Sequence, residues 1–362
     1  MDGKEVLFMS KGDGEHSYAQ TSTFTQKVAS LAKPTIASTV DSLLEEGFFL
    51  CELLNVADLG CALGPSTETF MSTVIESVQK KCAHSNCSMP EFQLYLDDLL
   101  GNDFNTLFKS LSNFSQNYES LSCCIMGAPG SFHRRLFPRN CLHLANSSYG
   151  VHWLSQVPNL MSEEGFPLNK GRIYISKTNP SVAKEAYLAQ FRADFSTFWK
   201  CRGEEMVDNG RLVLILNGRE DKDSASTDGY FFWEKLGEAI ADLVSEGGFV
   251  KEDKLDTLNV PYHTASSEEV RSIVDEEGSF EIEYLEIMGI DRTLPDEDPH
   301  SRGRKMAKDA RSFTGSIISY HLGEGIMDKL YGEKLPIIIG DDLAKGRRKG
   351  ISLVLVLKKH VP

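Results

Sequence analysis

Leu54-Asn55-Val56-Ala57-Asp58-Leu59-Gly60-Cys61-Ala62-Leu63-Gly64-Pro65 is the stretch on which the reading of this chain turns. A short apolar run ends in Asp58, and two glycines and a proline then lead into Thr67 to Lys80, whose period is helical. Strand, glycine turn and helix together let the backbone approach a ligand at the carboxyl edge of an open sheet. The glycines alone leave the matter open, because many such turns hold no ligand. Their spacing departs from G-x-G-x-x-G, and Leu63-Gly64-Pro65 offers no basic residue to a pyrophosphate. A cofactor without phosphates fits better.

Working outward, six more short apolar runs read as strands: Phe92 to Leu96, Cys123 to Met126, Arg172 to Ser176, Arg211 to Leu216, Phe280 to Leu285 and Ile351 to Leu357. Seven strands alternating with helical segments predict an α/β, doubly wound, Rossmann-like sheet. Phe104 to Leu111 and Ser147 to Val157 read as helices packing on it. Pro180 to Arg202 with Tyr230 to Gly247, and Ser266 to Glu277 with Ser301 to Leu330, are helical in period but outside the strand framework, so they are expected in a helical cap. Asp291 to Arg304, dense in Asp, Pro, Gly and Arg, reads as a mobile loop.

With 362 residues, 41% of them hydrophobic and 25% charged, the chain has the composition of a globular protein. A net charge of -14 argues against nucleic acid, which needs a positive face to displace counterions. The basic run Lys345-Gly346-Arg347-Arg348-Lys349 reads as a solvated loop before a strand. The eight cysteines include no C-x-x-C pair, and scattered reduced thiols suit a cytoplasmic protein. No basic-then-apolar leader opens the chain and no apolar run approaches the ~18 residues that span a bilayer.

The second strand delivers Asp97-Asp98-Leu99, about forty residues past the glycine loop. A carboxylate there can accept hydrogen bonds from the two ribose hydroxyls of an adenosine, or Asp98 can simply cap the turn before Asn102. Cys123 to Met126 runs into Gly127-Ala128-Pro129-Gly130-Ser131-Phe132, either a plain strand-end turn or small residues that leave room for an adenine beside Phe132. Tyr149, His152 and Trp153 share a face if helical, either as core or as the wall of a pocket for a planar heterocycle. Tyr230-Phe231-Phe232-Trp233 and Tyr262-His263 could close that pocket.

Assembled, these residues resemble the plant SABATH methyltransferases over almost the whole chain. The carriers are Glu5-Val6-Leu7-Phe8-Met9, Gly14-Glu15-His16-Ser17-Tyr18-Ala19, Ala57-Asp58-Leu59-Gly60-Cys61, Gly101-Asn102-Asp103-Phe104-Asn105, Pro129-Gly130-Ser131-Phe132, Arg135-Leu136-Phe137-Pro138 and Trp153-Leu154-Ser155-Gln156-Val157-Pro158. Within that family, His152-Trp153, Asn169-Lys170-Gly171-Arg172-Ile173-Tyr174 and Leu214-Ile215-Leu216-Asn217-Gly218-Arg219 are most similar to caffeine and theobromine synthases. The resemblance implies a homodimer with a seven-stranded S-adenosylmethionine-binding core from about residue 31 to 180 plus strands near 211–217, 280–287 and 350–358. A lid segment over 1–30 and a helical cap over about 181–205, 225–278 and 291–345 complete the expected layout.

The resemblance further implies cofactor contacts from Tyr18, Gln26, Asp58, Gly60, Cys61, Ser66, Asp98, Leu99, Ser131 and Phe132, with Ser66 where the family usually has asparagine. It implies acceptor contacts from Tyr149, His152, Trp153, Asn217, Phe232, Trp233, His263 and Phe313. Carboxyl-methylating relatives often carry a lysine where this chain has Ser10, Gly315-Ser316 replaces a usual Glu-Pro pair, and His263 stands at a common tyrosine. Some relatives are described with magnesium at positions matching Asn169, Asp256, Leu258 and Asn259, but a lone carboxylate makes a poor magnesium cage.

The expected activity is N-methylation of a xanthine such as 7-methylxanthine or theobromine, with His152 either receiving the ring proton or bonding a ring carbonyl. O-methylation of a small plant acid is the alternative within the fold, and a non-catalytic small-molecule binder the alternative outside enzymology.

Overall fold

The computed structural model describes residues 7–48, 51–118, 121–176, 179–220, 227–292, 297–346 and 348–361, of which 227–229 are described in backbone only. Strand β1 (Leu53–Leu59) lies between β2 (Glu91–Asp97) and β4 (Leu142–Ser148), all parallel, with β3 (Cys123–Gly127) outside β2. Beyond β4 follow β5 (Met206–Arg219), then the antiparallel β8 (Lys349–Lys359) and β7 (Phe280–Asp291), giving the order 3-2-1-4-5-8-7. A two-residue β6 (Ala265–Ser266) extends the end of β5. Strand order reverses between β1 and β4, which opens a crevice at their carboxyl ends where such sheets bind ligands.

Alternation along the strands builds two cores. Leu212, Leu214 and Leu216 of β5 face one side with Leu353, Leu355 and Leu357 of β8, while Val213, Ile215 and Val354 face the other. The second side is covered by α1 (Thr23–Glu45) and α2 (Pro65–Ser85). The first carries α3 (Ser181–Glu205), whose Phe191, Phe195, Phe198 and Trp199 form a buried aromatic row reaching Phe280 of β7. On that side lie also α4 (Thr227–Ser245) and α5 (Ser267–Glu277). Thus α3 and α5, expected in a cap, lie beside the sheet: Trp199 of α3 meets Phe280 of β7, and Val270, Ile273 and Val274 of α5 are buried in the same core.

Further helices α6 (Pro299–Leu322) and α7 (Leu335–Leu343) pack closely, since a Cβ on Gly303 would collide with the Pro336 carbonyl oxygen and stand 2.9 Å from the Gly340 nitrogen. The N-terminal segment is laid over α6: the Ser10 amide donates to Ser312 O at 2.7 Å, and the Ser316 hydroxyl donates to Phe8 O at 2.9 Å.

Two expected elements are absent. Arg172 to Ser176 is a buried loop, held through Ile173 O, which accepts from Val260 N–H at 3.0 Å. Its place in the sheet is taken by β4, whose Asn146 and Ser147 concealed it. Ser147 to Val157 is no helix either: after β4, Tyr149 adopts φ +60°, and Trp153 bridges in extended pairing to Tyr262. The expected mobile stretch 291–304 is partly α6 from Pro299 onward, and residues 293–296 lie outside the described residues, as do Glu5, Val6 and Arg347. No helix among the described residues is long and apolar enough to cross a membrane.

Candidate active site

Asp58 at the end of β1 is buried and spends both carboxylate oxygens inside the protein. The Thr67 hydroxyl donates to Oδ2 and the Asn146 amide to Oδ1, each at 2.6 Å. Burial raises its pKa. These bonds tie α2 and β4 to β1 and shape the glycine loop. Gly60 and Gly64 hold φ of +78° and +115°, conformations that L side chains rarely adopt. A Cβ on Gly60 would also lie 3.5 Å from the Phe132 ring. The Gly60 and Cys61 amides both donate to Asp97 O at 2.9 Å.

Asp98 accepts the Ala62 and Leu99 amides at 2.8 and 2.7 Å, and burial raises its carboxyl to about 6. It lines a cavity enclosing about 660 Å³, partly open to solvent, with Tyr18, Gly60, Leu99, Ser131 and Phe132. A smaller arm of about 330 Å³ continues along Asp58, Cys61, Ser66 and Thr67. Two amide donors leave each carboxylate oxygen of Asp98 a free lone pair, the arrangement that receives a pair of vicinal hydroxyls. Gln26 faces elsewhere: its amide donates to Ser22 Oγ at 3.0 Å on its own helix.

The far wall of this cavity is set by a pair that sequence reasoning missed. Arg202 and Glu205, both fully buried, form an ion pair at 2.6 Å. Arg202 donates to the Phe132 and Arg134 carbonyls at 2.9 and 3.0 Å, while Glu205 Oε1 accepts the Leu136 and Phe137 amides at 2.6 and 3.1 Å. The i,i+3 spacing on a helix was the available signal, but nothing in the sequence aims it at the 131–137 loop.

Tyr18, Tyr149, Trp153 and Met9 border both that cavity and a larger one enclosing about 1090 Å³, part of it open to solvent. One side of the larger cavity is aromatic. Trp153 meets Tyr262 and Trp233 edge-on at 4.9 and 6.1 Å, and Phe232 packs on Phe313 at 5.3 Å. The other side is charged, with Arg292, Arg302, Asp309 and Lys349. The expected acceptor residues Tyr149, His152, Trp153, Asn217, Phe232, Trp233 and Phe313 all line it.

His152 is fixed in one tautomer. Its Nδ1 accepts the Asn217 amide N–H at 3.0 Å, so the ring proton sits on Nε2, and burial pushes its pKa down to about 3. The ring is therefore a neutral hydrogen-bond donor toward the cavity. Asn217 also donates from its side chain to the Tyr262 hydroxyl at 2.8 Å, leaving that phenol to donate outward. His263 does not line the cavity: its Nε2 pairs with Glu269 at 3.2 Å and its ring lies on Phe191 at 4.7 Å. In extended backbone neighbours point to opposite faces, so Tyr262 occupies the place expected for His263.

The positions matched to magnesium do not fit a hard cation. Asn169 donates its amide to Asn259 Oδ1 at 2.7 Å, Leu258 offers no side-chain oxygen, and Asp256 is spent on the Gly171 amide at 2.8 Å and on Lys170 at 3.5 Å. Together these residues brace the 169–176 loop against 256–260.

Compared with known proteins, residues 4–360 match the family model described as SAM dependent carboxyl methyltransferase. A 3,7-dimethylxanthine N-methyltransferase of Camellia sinensis var. assamica is 52% identical, over 99% of this chain and 97% of its own. A 7-methylxanthine methyltransferase of Camellia ptilophylla is also 52% identical, over 99% and 98%. Among solved structures, a loganic acid methyltransferase with bound SAH shares the architecture at a TM-score of 0.84 and 31% identity, over 98% of this chain and 99% of its own.

Proposed function

Because this chain belongs to the S-adenosylmethionine-dependent carboxyl methyltransferase family, and is thus a methyltransferase that takes its methyl group from that cofactor, we propose that it N-methylates a xanthine. The supporting geometry is the larger cavity, where a slot of aromatic rings ends in two donors, His152 Nε2–H and the Tyr262 hydroxyl. A flat dione ring stacks in such a slot and offers its carbonyls to such donors. In the adjoining cavity, Asp98 receives the ribose hydroxyls, Phe132 packs on the adenine, and Ser66 and Cys61 border the methionine end. The cofactor supplies an electrophilic methyl carbon on a positive sulfur. What the protein adds is alignment and exclusion of water, worth roughly 7 to 11 kcal/mol at its best.

His152 in this reading positions the ring and takes no proton, since its one free ring nitrogen is occupied by the Asn217 amide. The regions 230–264 and 297–345, with the N-terminal segment from residue 7 to about 30, act in this reading as the cap and lid of the acceptor site. We place the protein in the cytosol as a homodimer, a reading supported by its eight free cysteines and by the family resemblance.

A second reading, methyl-ester formation on a small acid, is favoured by the guanidinium of Arg292 in the cavity and by the 31% identical loganic acid enzyme. It ranks behind the first because Ser10 uses its backbone to dock the N-terminal segment on α6, and neither it nor Lys11 reaches the acceptor cavity. Transfer of labelled methyl from S-adenosylmethionine to a panel of xanthines and plant acids tests the proposal. Label in a xanthine supports it, and label in salicylate or benzoate alone overturns it.

A further inference from the structure

A ring N–H must lose its proton for its nitrogen to take a methyl group, and the polar side chains at the aromatic end of the slot, His152, Tyr149 and Tyr262, supply no base for that loss; the carboxylate of Asp309, on the charged side of the same cavity, accepts the Thr23 hydroxyl at 3.2 Å. His152 is locked as a donor. Burial raises Tyr149 and Tyr262, keeping both phenols protonated. The cavity holds instead a cation of unusual placement. Arg292, just past β7, lays its guanidinium over the Phe24 ring at 4.6 Å and lines the same cavity as Tyr149 and Tyr262. Gly350 makes room for both: a Cβ there would stand 2.6 Å from the Phe24 ring and 3.0 Å from Arg292 Nη2. No carboxylate pairs with Arg292 among the described residues. Among the described residues the other charged groups lining the cavity are Arg302 and Asp309 of α6 and Lys349 of β8, and Arg302 has Glu297 at 3.9 Å, which leaves a positive excess there in a chain of charge -14.

We propose that Arg292 selects the acceptor as its ring anion, so that the proton leaves to water on binding and transfer needs no protein base. This rests on the xanthine reading above. The balance is simple: the nitrogen pair forms the N–C bond, the C–S pair stays on sulfur as a thioether, and anion and sulfonium both become neutral. Arg292 is a binding residue for the charge that transfer then cancels, and an ion pair made in a partly desolvated slot is strong enough to shift an N–H equilibrium.

The test is calorimetry of 7-methylxanthine binding to enzyme loaded with S-adenosylhomocysteine, in buffers of different ionisation enthalpy, at a pH below the acceptor's own N–H pKa. Wild type is expected to release one proton per xanthine bound, and R292M to release none while losing on the order of 100-fold in kcat/KM. The wild-type pH profile of kcat/KM should shift when the xanthine is exchanged for one of different acidity. R292K, which keeps the charge, should keep the proton release. Absence of proton release in wild type, or a profile that moves with D309N and ignores the acceptor's acidity, overturns the proposal and makes Asp309 the base. Failure of any xanthine to bind or be methylated, with a plant acid accepted, would instead strike the xanthine reading itself.

Discussion

Replacing Glu205 with alanine probes the inner wall of the cofactor cavity most severely. The carboxylate is wholly buried and serves four bonds: two from Arg202 at 2.6 and 2.7 Å and the amides of Leu136 and Phe137 at 2.6 and 3.1 Å. Its removal leaves a guanidinium at zero exposure without its anion, which costs about 3 to 5 kcal/mol. Two backbone donors lose their acceptor as well, at about 1 kcal/mol or more each unless water enters the hole. For a chain of 362 residues the first loss alone lowers the melting temperature by about 4 to 7 °C. Since Arg202 also holds the Phe132 and Arg134 carbonyls, the loop bearing Ser131 and Phe132 loosens, and S-adenosylmethionine affinity should fall on the order of tenfold. E205Q, which keeps an acceptor for the amides, should lose less. Thermal melts and cofactor titrations read both effects. An E205A enzyme that melts within 1 °C or so of wild type and binds cofactor normally would refute the reasoning.

Three other outcomes follow from the same geometry. Asp98 must be ionised to accept ribose hydroxyls, and burial lifts it to about 6, so cofactor affinity should hold above neutrality and drop about tenfold per unit as pH falls below 6, with D98N weak and flat. The sign for the empty protein is opposite: a raised carboxyl pKa contributes stability below its unfolded value near 4 that is lost as pH rises through 6, which melts against pH would show. Y262F should cut kcat/KM for the acceptor about tenfold while leaving the fold intact, and H263Q should act on stability through the Glu269 bond with acceptor KM unchanged; the reverse pattern would return His263 to the slot. Dialysis against a chelator should change kcat/KM by less than about twofold, because the amides at Asn169 and Asn259 bond each other, and a loss restored by magnesium would contradict this.

How much of this was legible beforehand follows residue chemistry. The runs Leu54 to Asp58 and Ile351 to Leu357 are buried on both faces and read directly as strands. Leu142–Ser148 did not, because Asn146 and Ser147 are polar for partners far off in sequence, Asp58 and the Leu59 carbonyl. Ile173-Tyr174-Ile175 has the composition of a strand yet is a loop, its burial coming from packing on the 256–260 segment. The Tyr149, His152, Trp153 triplet was grouped on a helical premise that does not hold, though all three line one cavity. No helix aligns these residues, and they converge because a left-handed Tyr149 turns the chain at the strand end. Arg292 and Asp309 carried no local pattern at all; only the fold brings the end of β7 and the face of α6 to one cavity.

The most direct check on the central claim is the chemistry of the product bond. Offered a xanthine and a plant acid together with methyl-labelled S-adenosylmethionine, the enzyme should put label into a product that survives mild alkali, as an N-methyl group does. Label released by alkali as methanol, the signature of a methyl ester, would contradict the account.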